Sequence, residues 1–89
     1  MEQPNYYAII PANIRYDEKI TPGAKLLYGE ITALSNKKGF CWAKDQYFMN
    51  LYNVGQTTVQ RWLHSLESGG YIKRSVQDKE GTKEIENRY

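Results

Sequence analysis

The chain has little of what most enzymes and secreted proteins are built on. One cysteine, Cys41, and one histidine, His64, occur in 89 residues. A lone cysteine closes no internal disulfide, which fits a reducing compartment. Nor can a zinc site be assembled from several such ligands. No apolar run approaches the ~18 residues of a membrane helix, and Met1-Glu2-Gln3-Pro4 lacks a signal-peptide pattern. There is no Gly-rich phosphate loop, no acid pair at metal spacing, and no histidine cluster of the kind a rolling-circle nickase needs beside its tyrosine. Charge of one sign is not in excess either: 12 Lys and Arg face 10 Asp and Glu, a net +2. A nucleic-acid partner would therefore have to be met by positive charge arranged locally. These absences predict a soluble, cytoplasmic, non-enzymatic protein with no cofactor, no metal and no membrane partner.

What is present is aromatic and patterned. Eight tyrosines and two tryptophans supply large packing groups to a chain long enough for one small core. The whole of 1–89 reads as a single domain. Its central stretch runs from Val54 to Gly69. Val59, Trp62, Leu63 and Leu66 recur at helical spacing and predict one apolar stripe. Gln56, Thr57, Gln60, Arg61 and His64 fall on the opposite face, with no acid before Glu67. A second helical stretch, Lys44 to Tyr52, precedes it across Asn53, Val54 and Gly55 alone. Two helices joined by so short a turn form a helix-turn-helix, and Gln56–Ser68 is then the recognition helix.

The remaining segments complete a pattern. Tyr6–Ile10 is β-prone and closed by Pro11, so it reads as a short strand or an extended arm. Asn13–Lys19 shows no clean period and reads as loop. Thr21-Pro22 is a helix start, and Ala24, Leu27, Tyr28, Ile31 and Leu34 carry the helix to about Ser35. Asn36–Gly39 ends it, with Lys37 and Lys38 complementing the helix dipole. Phe40-Cys41-Trp42 suits a short strand. In the next helix Tyr47, Phe48, Leu51 and Tyr52 face inward, Lys44 stands where a serine or threonine would cap, and Asn53 provides the left-handed stop. Gly55 caps the recognition helix less well than serine would. Gly69-Gly70 ends that helix. Tyr71–Val76 and Thr82–Tyr89 are then strands around the polar turn Gln77–Gly81, with Ile85, Asn87 and Tyr89 on one face. This order predicts a mainly α fold with a small antiparallel β-wing (α+β), a winged helix-turn-helix. The last strand runs to the final residue, as in a module cut from a longer protein.

These residues carry a resemblance. Tyr6–Asp17, the helix Ala24–Ile31 and Phe40–Ala43 resemble the N-terminal winged-helix domains of phage and plasmid replication initiators. These are the replisome-organiser and DnaD-like proteins of Gram-positive bacteria and their phages. Val54, Thr58-Val59, Arg61-Trp62, Gly70–Lys73 and Glu86–Tyr89 extend it over almost the whole chain. The resemblance implies sequence-specific binding of double-stranded DNA for origin recognition. It also implies a C-terminal part, outside these residues, that meets replisome proteins.

The expected DNA contacts are Gln56, Thr57, Thr58, Gln60, Arg61 and His64 on the helix and Lys73, Lys79 and Lys83 in the wing. Glutamine can read adenine, arginine can read guanine, and threonine can bond a phosphate or touch a thymine methyl. An ordinary solvated helix face suits the same residue types. In the wing Arg74 and Arg88 are further cations, but Asp78, Glu80, Glu84 and Glu86 are interleaved with them, and a solvated hairpin would look alike. His64 reads as a surface residue and Cys41 as a small core group. Trp42, Phe48, Tyr28 and Trp62 read as core. Two other functions stay open. One is a protein-interaction module, including a homodimer through the N-terminal strand or the wing; the other is a transcriptional regulator.

Overall fold

The computed structural model describes residues 7–35, 40–41, 44–76 and 83–87; of 40–41, 75–76 and 83–87 it describes the backbone alone. In chain order the elements are α1 (Ala12–Arg15), α2 (Pro22–Leu34), β1 (Phe40–Cys41), α3 (Asp45–Tyr52), α4 (Gln56–Ser68), β2 (Ile72–Val76) and β3 (Lys83–Asn87). The expected helix end at Asn36–Gly39, Trp42 and the turn Gln77–Gly81 lie outside the described residues, as do Tyr6, Arg88 and Tyr89.

α2 forms as its residues require. The Thr21 hydroxyl accepts from the Ala24 amide at 3.2 Å, and Pro22 occupies the first helical position, where its missing N–H costs nothing. Ala24, Leu27, Tyr28 and Ile31 on its inner face are fully buried. The stretch before it departs from the expected loop: Ala12–Arg15 is one helical turn. The Pro11 carbonyl accepts from the Ile14 and Arg15 amides at 3.2 and 2.9 Å, and Ile14 is fully buried. One turn is too short to show a period, and its stability comes from burying Ile14 rather than from helix propensity.

Residues 7–10 lie across α2 and join no strand. The Ile9 amide donates to the Thr32 hydroxyl at 2.9 Å. Gly29 makes room: a Cβ there would stand 3.2 Å from Ala8 Cβ and 3.3 Å from Ile10 Cγ1. Of the two readings, short strand or extended arm, the described part is the arm, laid on a helix because α2 offers both a slot and a hydroxyl acceptor. The Tyr7 and Ile9 side chains stay exposed.

α3 begins at Lys44 with no side-chain cap, as expected, and Asp45 complements the dipole in its first turn. Phe48 is fully buried, while Tyr47, Leu51 and Tyr52 are partly so. Two tyrosine hydroxyls fasten α3 to α2. Tyr47 donates to Glu30 Oε2 at 2.5 Å and Tyr52 to the Leu26 carbonyl at 3.1 Å. Burial, with the Glu30 charge beside it, pushes the Tyr52 phenol up to about 12, so it remains a donor at any ordinary pH.

Asn53 takes the left-handed conformation (φ 55°, ψ 52°), and the amides of Asn53 and Val54 both donate to the Met49 carbonyl. Asparagine tolerates this region better than most residues with a Cβ. After Gly55, α4 runs Gln56–Ser68 and buries Val59, Leu63 and Leu66 completely. It ends in a Schellman motif. The Tyr71 amide reaches the Leu66 carbonyl at 2.9 Å, the Gly70 amide reaches Glu67 at 3.0 Å, and Gly70 has φ 80°. The Tyr71 hydroxyl then donates to Asp17 Oδ2 at 2.7 Å, tying this corner to the residues after α1.

The sheet is antiparallel, in the order β1-β3-β2. β3 is central, pairing Phe40↔Glu86 on one side and Ile72↔Asn87 through Val76↔Lys83 on the other. This places β2 directly after α4 and gives its side chains two destinations. Ile72 is buried, Lys73 is exposed, and Arg74 is again turned toward the helices.

Candidate nucleic-acid interface

At about 100° per residue, Thr57, Arg61, His64 and Ser68 form a line along α4 opposite Val59, Leu63 and Leu66. All four are exposed. Ser68 Oγ lies 3.4 Å from His64 Nε2. Among the described residues nothing bonds to the side chains of Thr57 or Arg61, so the one strong cation of the helix faces outward without an acid beside it. Gln56 is exposed on the first turn.

The flanks of this line differ. On one side Trp62 is only partly buried, where the sequence led us to expect a core position equal to that of Val59. Its indole lies against Gly23 at the start of α2 and meets the Tyr52 ring edge to face at 5.9 Å. Thr58, on the same flank, is partly buried.

On the other flank Gln60 is engaged inside the molecule. Its Nε2 donates to Asp45 Oδ2, and its Oε1 accepts from Arg74 Nη1 at 3.3 Å. An acid on one side and a cation on the other leave one sensible amide orientation. Arg74 also places Nε and Nη2 at 3.2 and 2.9 Å from Glu67 Oε1. The chain Asp45, Gln60, Arg74, Glu67 therefore links α3, α4 and β2. In this geometry Gln60 sets the angle between elements and is not free to read a base edge. Arg74, a wing cation in the sequence, has a side chain only 17% exposed and is held on the helix.

Of the remaining expected contacts, Lys73 is exposed on β2, Lys83 is described by its backbone in β3, and Lys79 lies outside the described residues. Lys44 was missed. It is exposed, without a side-chain partner among the described residues, one residue from the Asp45 that touches Gln60. The signal was available: a lysine at a helix N-terminus opposes the dipole and leaves the cap empty. Such a local conflict often marks a functional position.

Among the described residues no three His, Cys, Asp or Glu gather where they could hold a metal ion, and no helix is long and apolar enough to cross a membrane. No curated protein and no solved structure matches the chain. The helix-turn-helix domain model matches residues 18–72, from before α2 to the start of β2, which is more than half of the 89 residues. Two helices about a three-residue turn, with the outer face of the second unpartnered, agree with that match, and the chain belongs to the helix-turn-helix domain family.

Proposed function

We propose that this chain binds double-stranded DNA by laying α4 in the major groove, as the second helix of this motif does elsewhere. One observation carries the reading: Thr57, Arg61 and His64 line the solvent side of α4, and Arg61 has no acid partner among the described residues. Gln56 and Thr58 adjoin them on the first turn. Lys44 at the start of α3 and Lys73 on β2 lie on elements tied to the Gln60 flank, where they would meet phosphate. Lys79 and Lys83 would extend that contact through the β2–β3 hairpin, which we read as the wing of a winged helix-turn-helix.

The finer role we propose is origin recognition in phage or plasmid replication. It is supported by the resemblance of Tyr6–Asp17, Ala24–Ile31 and Phe40–Ala43 to replication initiators. On this reading the domain is a non-enzymatic module at the N-terminal end of a longer protein, whose further part meets replisome proteins. A transcriptional regulator would use the same geometry, since the fold alone does not choose between them. Binding to origin-derived against promoter-derived duplexes separates the two.

Arg61→Ala tests the interface itself. A bidentate guanine contact should cost roughly 1–3 kcal/mol and relax preference at one base pair. A phosphate contact should weaken all duplexes alike and lower the salt slope by about one unit. Fluorescence anisotropy at several salt concentrations distinguishes them. Unchanged affinity for every duplex, with the fold intact, would defeat the proposal.

A further inference from the structure

We propose that Glu67 and Gln60 form a latch that keeps Arg74 off DNA phosphate and so sets how well the domain tells one duplex from another. The inference rests on the DNA-binding reading above and adds specificity-determining residues to it. Gln60 and Glu67 are two turns apart on α4, about 10 Å along its axis, and their side chains converge on the guanidinium of Arg74. Two of its three nitrogens, Nε and Nη2, donate to one carboxylate oxygen at 3.2 and 2.9 Å, and the third, Nη1, to the Gln60 carbonyl oxygen at 3.3 Å. Charge-assisted bonds of this kind are the stronger class of hydrogen bond, and the side chain is 17% exposed. The Gln60 amide is itself anchored by Asp45, so its carbonyl cannot turn away without breaking that bond.

The consequence concerns discrimination. A cation on phosphate raises affinity for every sequence, whereas contacts to base edges favour one. Arg74 sits beside the exposed line of α4, where a free guanidinium would reach the DNA backbone. Folded onto Glu67, it adds nothing to sequence-independent binding, and the unpartnered line keeps a larger share of the total. Glu67 thus lowers affinity for random DNA in exchange for selectivity.

The experiment is a double-mutant cycle on the full chain. Glu67→Gln, Arg74→Ala and the double variant are titrated by anisotropy against a random-sequence duplex and against the duplex wild type selects from a random pool. The latch predicts that Glu67→Gln tightens the random duplex several-fold, steepens the salt slope by about one unit, and narrows the ratio between the two duplexes. Arg74→Ala alone uncovers the Glu67 charge and should weaken the random duplex by less than Glu67→Gln tightens it, and the double variant, with the net charge of wild type, should bind as wild type does. A gain from Glu67→Gln as large in the Arg74→Ala background as in wild type would mean that only net charge had changed, and would overturn the latch. Glu67→Asp guards against a folding defect, because it keeps the charge while drawing the carboxylate back by one methylene; it should give a smaller gain of the same sign, and no gain in a folded protein would also overturn the latch. If wild type binds no duplex, the DNA reading fails and the latch with it; if it binds and the effects are additive, only the latch fails.

Discussion

Replacing Gly23 by alanine sets two effects of opposite sign against each other at the seat of α4. Alanine in place of glycine in a helix gains about 0.5–1 kcal/mol, less near an end. Against that, a Cβ on Gly23 would stand 2.3, 2.7 and 2.9 Å from the Trp62 atoms Cζ2, Cε2 and Cη2. Carbon atoms settle at about 3.5–4.0 Å, so the indole would have to retreat by about 1 Å. The indole also packs edge to face with the Tyr52 ring at 5.9 Å, so its retreat would disturb that contact. Overpacking of this kind costs about 1–3 kcal/mol, and we expect Gly23→Ala to destabilise by a net ~1–2 kcal/mol. Urea denaturation followed by circular dichroism measures this directly.

The same assay isolates the cause. Trp62→Ala should cost about 2–3 kcal/mol, below the ~3–5 kcal/mol of a fully buried aromatic, because Trp62 is only partly buried. In that background alanine at position 23 meets no ring, and the substitution should turn stabilising by its helix propensity. The two changes would thus couple by more than 1 kcal/mol, a rough figure within the range for residues in contact. If Gly23→Ala stabilises the wild-type chain and adds independently to Trp62→Ala, the indole does not lie on Gly23. The orientation of α4 argued above would then be wrong, and with it the assignment of Thr57, Arg61 and His64 to the outer face.

Two further outcomes are expected. Gly55→Ser should stabilise by a few tenths of a kcal/mol, because the position has φ −81° and nothing within 4 Å of an added Cβ; a lower denaturation midpoint would mean that the cap hydroxyl finds no amide. The Tyr71 hydroxyl, then the Lys19 amide, hold the Asp17 carboxyl below its usual 3.8. A depressed folded value stabilises above the unfolded one and is lost as pH falls, so Asp17→Asn should be less stable than wild type near neutrality, with the gap closing below about pH 4. A gap of constant size from pH 7 to pH 3 would show that the carboxylate charge is not what Tyr71 recognises.

The parts of the fold that could be read from sequence are those decided within a few residues. Thr21-Pro22, Asn53 and Gly69-Gly70 punctuate the helices because capping hydroxyls, left-handed residues and missing N–H groups act locally. The stripe of Val59, Leu63 and Leu66 follows from helical period alone, and the exposed line of α4 follows as its complement. What escaped was decided across distance. Gln60 finds Asp45 and Arg74 at separations of 15 and 14 residues, and on a helical wheel it resembles a base-reading side chain. Ile14 is fully buried from a single turn that carries no period. The arm lies on α2 because Gly29 leaves a slot, which a sequence marks only as a glycine that helices disfavour. Gly23 carried the same sign, and both mark close approach.

Electrostatics then limits what the domain can do alone. The net charge is +2, Arg74 is taken up by Glu67, and three described cations stand without an acid partner on elements of the proposed interface: Lys44, Arg61 and Lys73. Each phosphate neutralised contributes about 0.9 to the logarithmic salt slope, so three give about −2.7. Between 50 and 200 mM salt such a domain would lose roughly 40-fold in affinity, against the ~10³–10⁵ of proteins making six to ten phosphate contacts. Lys79 and Lys83 on phosphate, as proposed above, would bring the slope to about −4.5. A measured slope well beyond −3 would therefore require cations beyond these three, with Lys79 and Lys83 of the proposed hairpin contact the first to test by substitution.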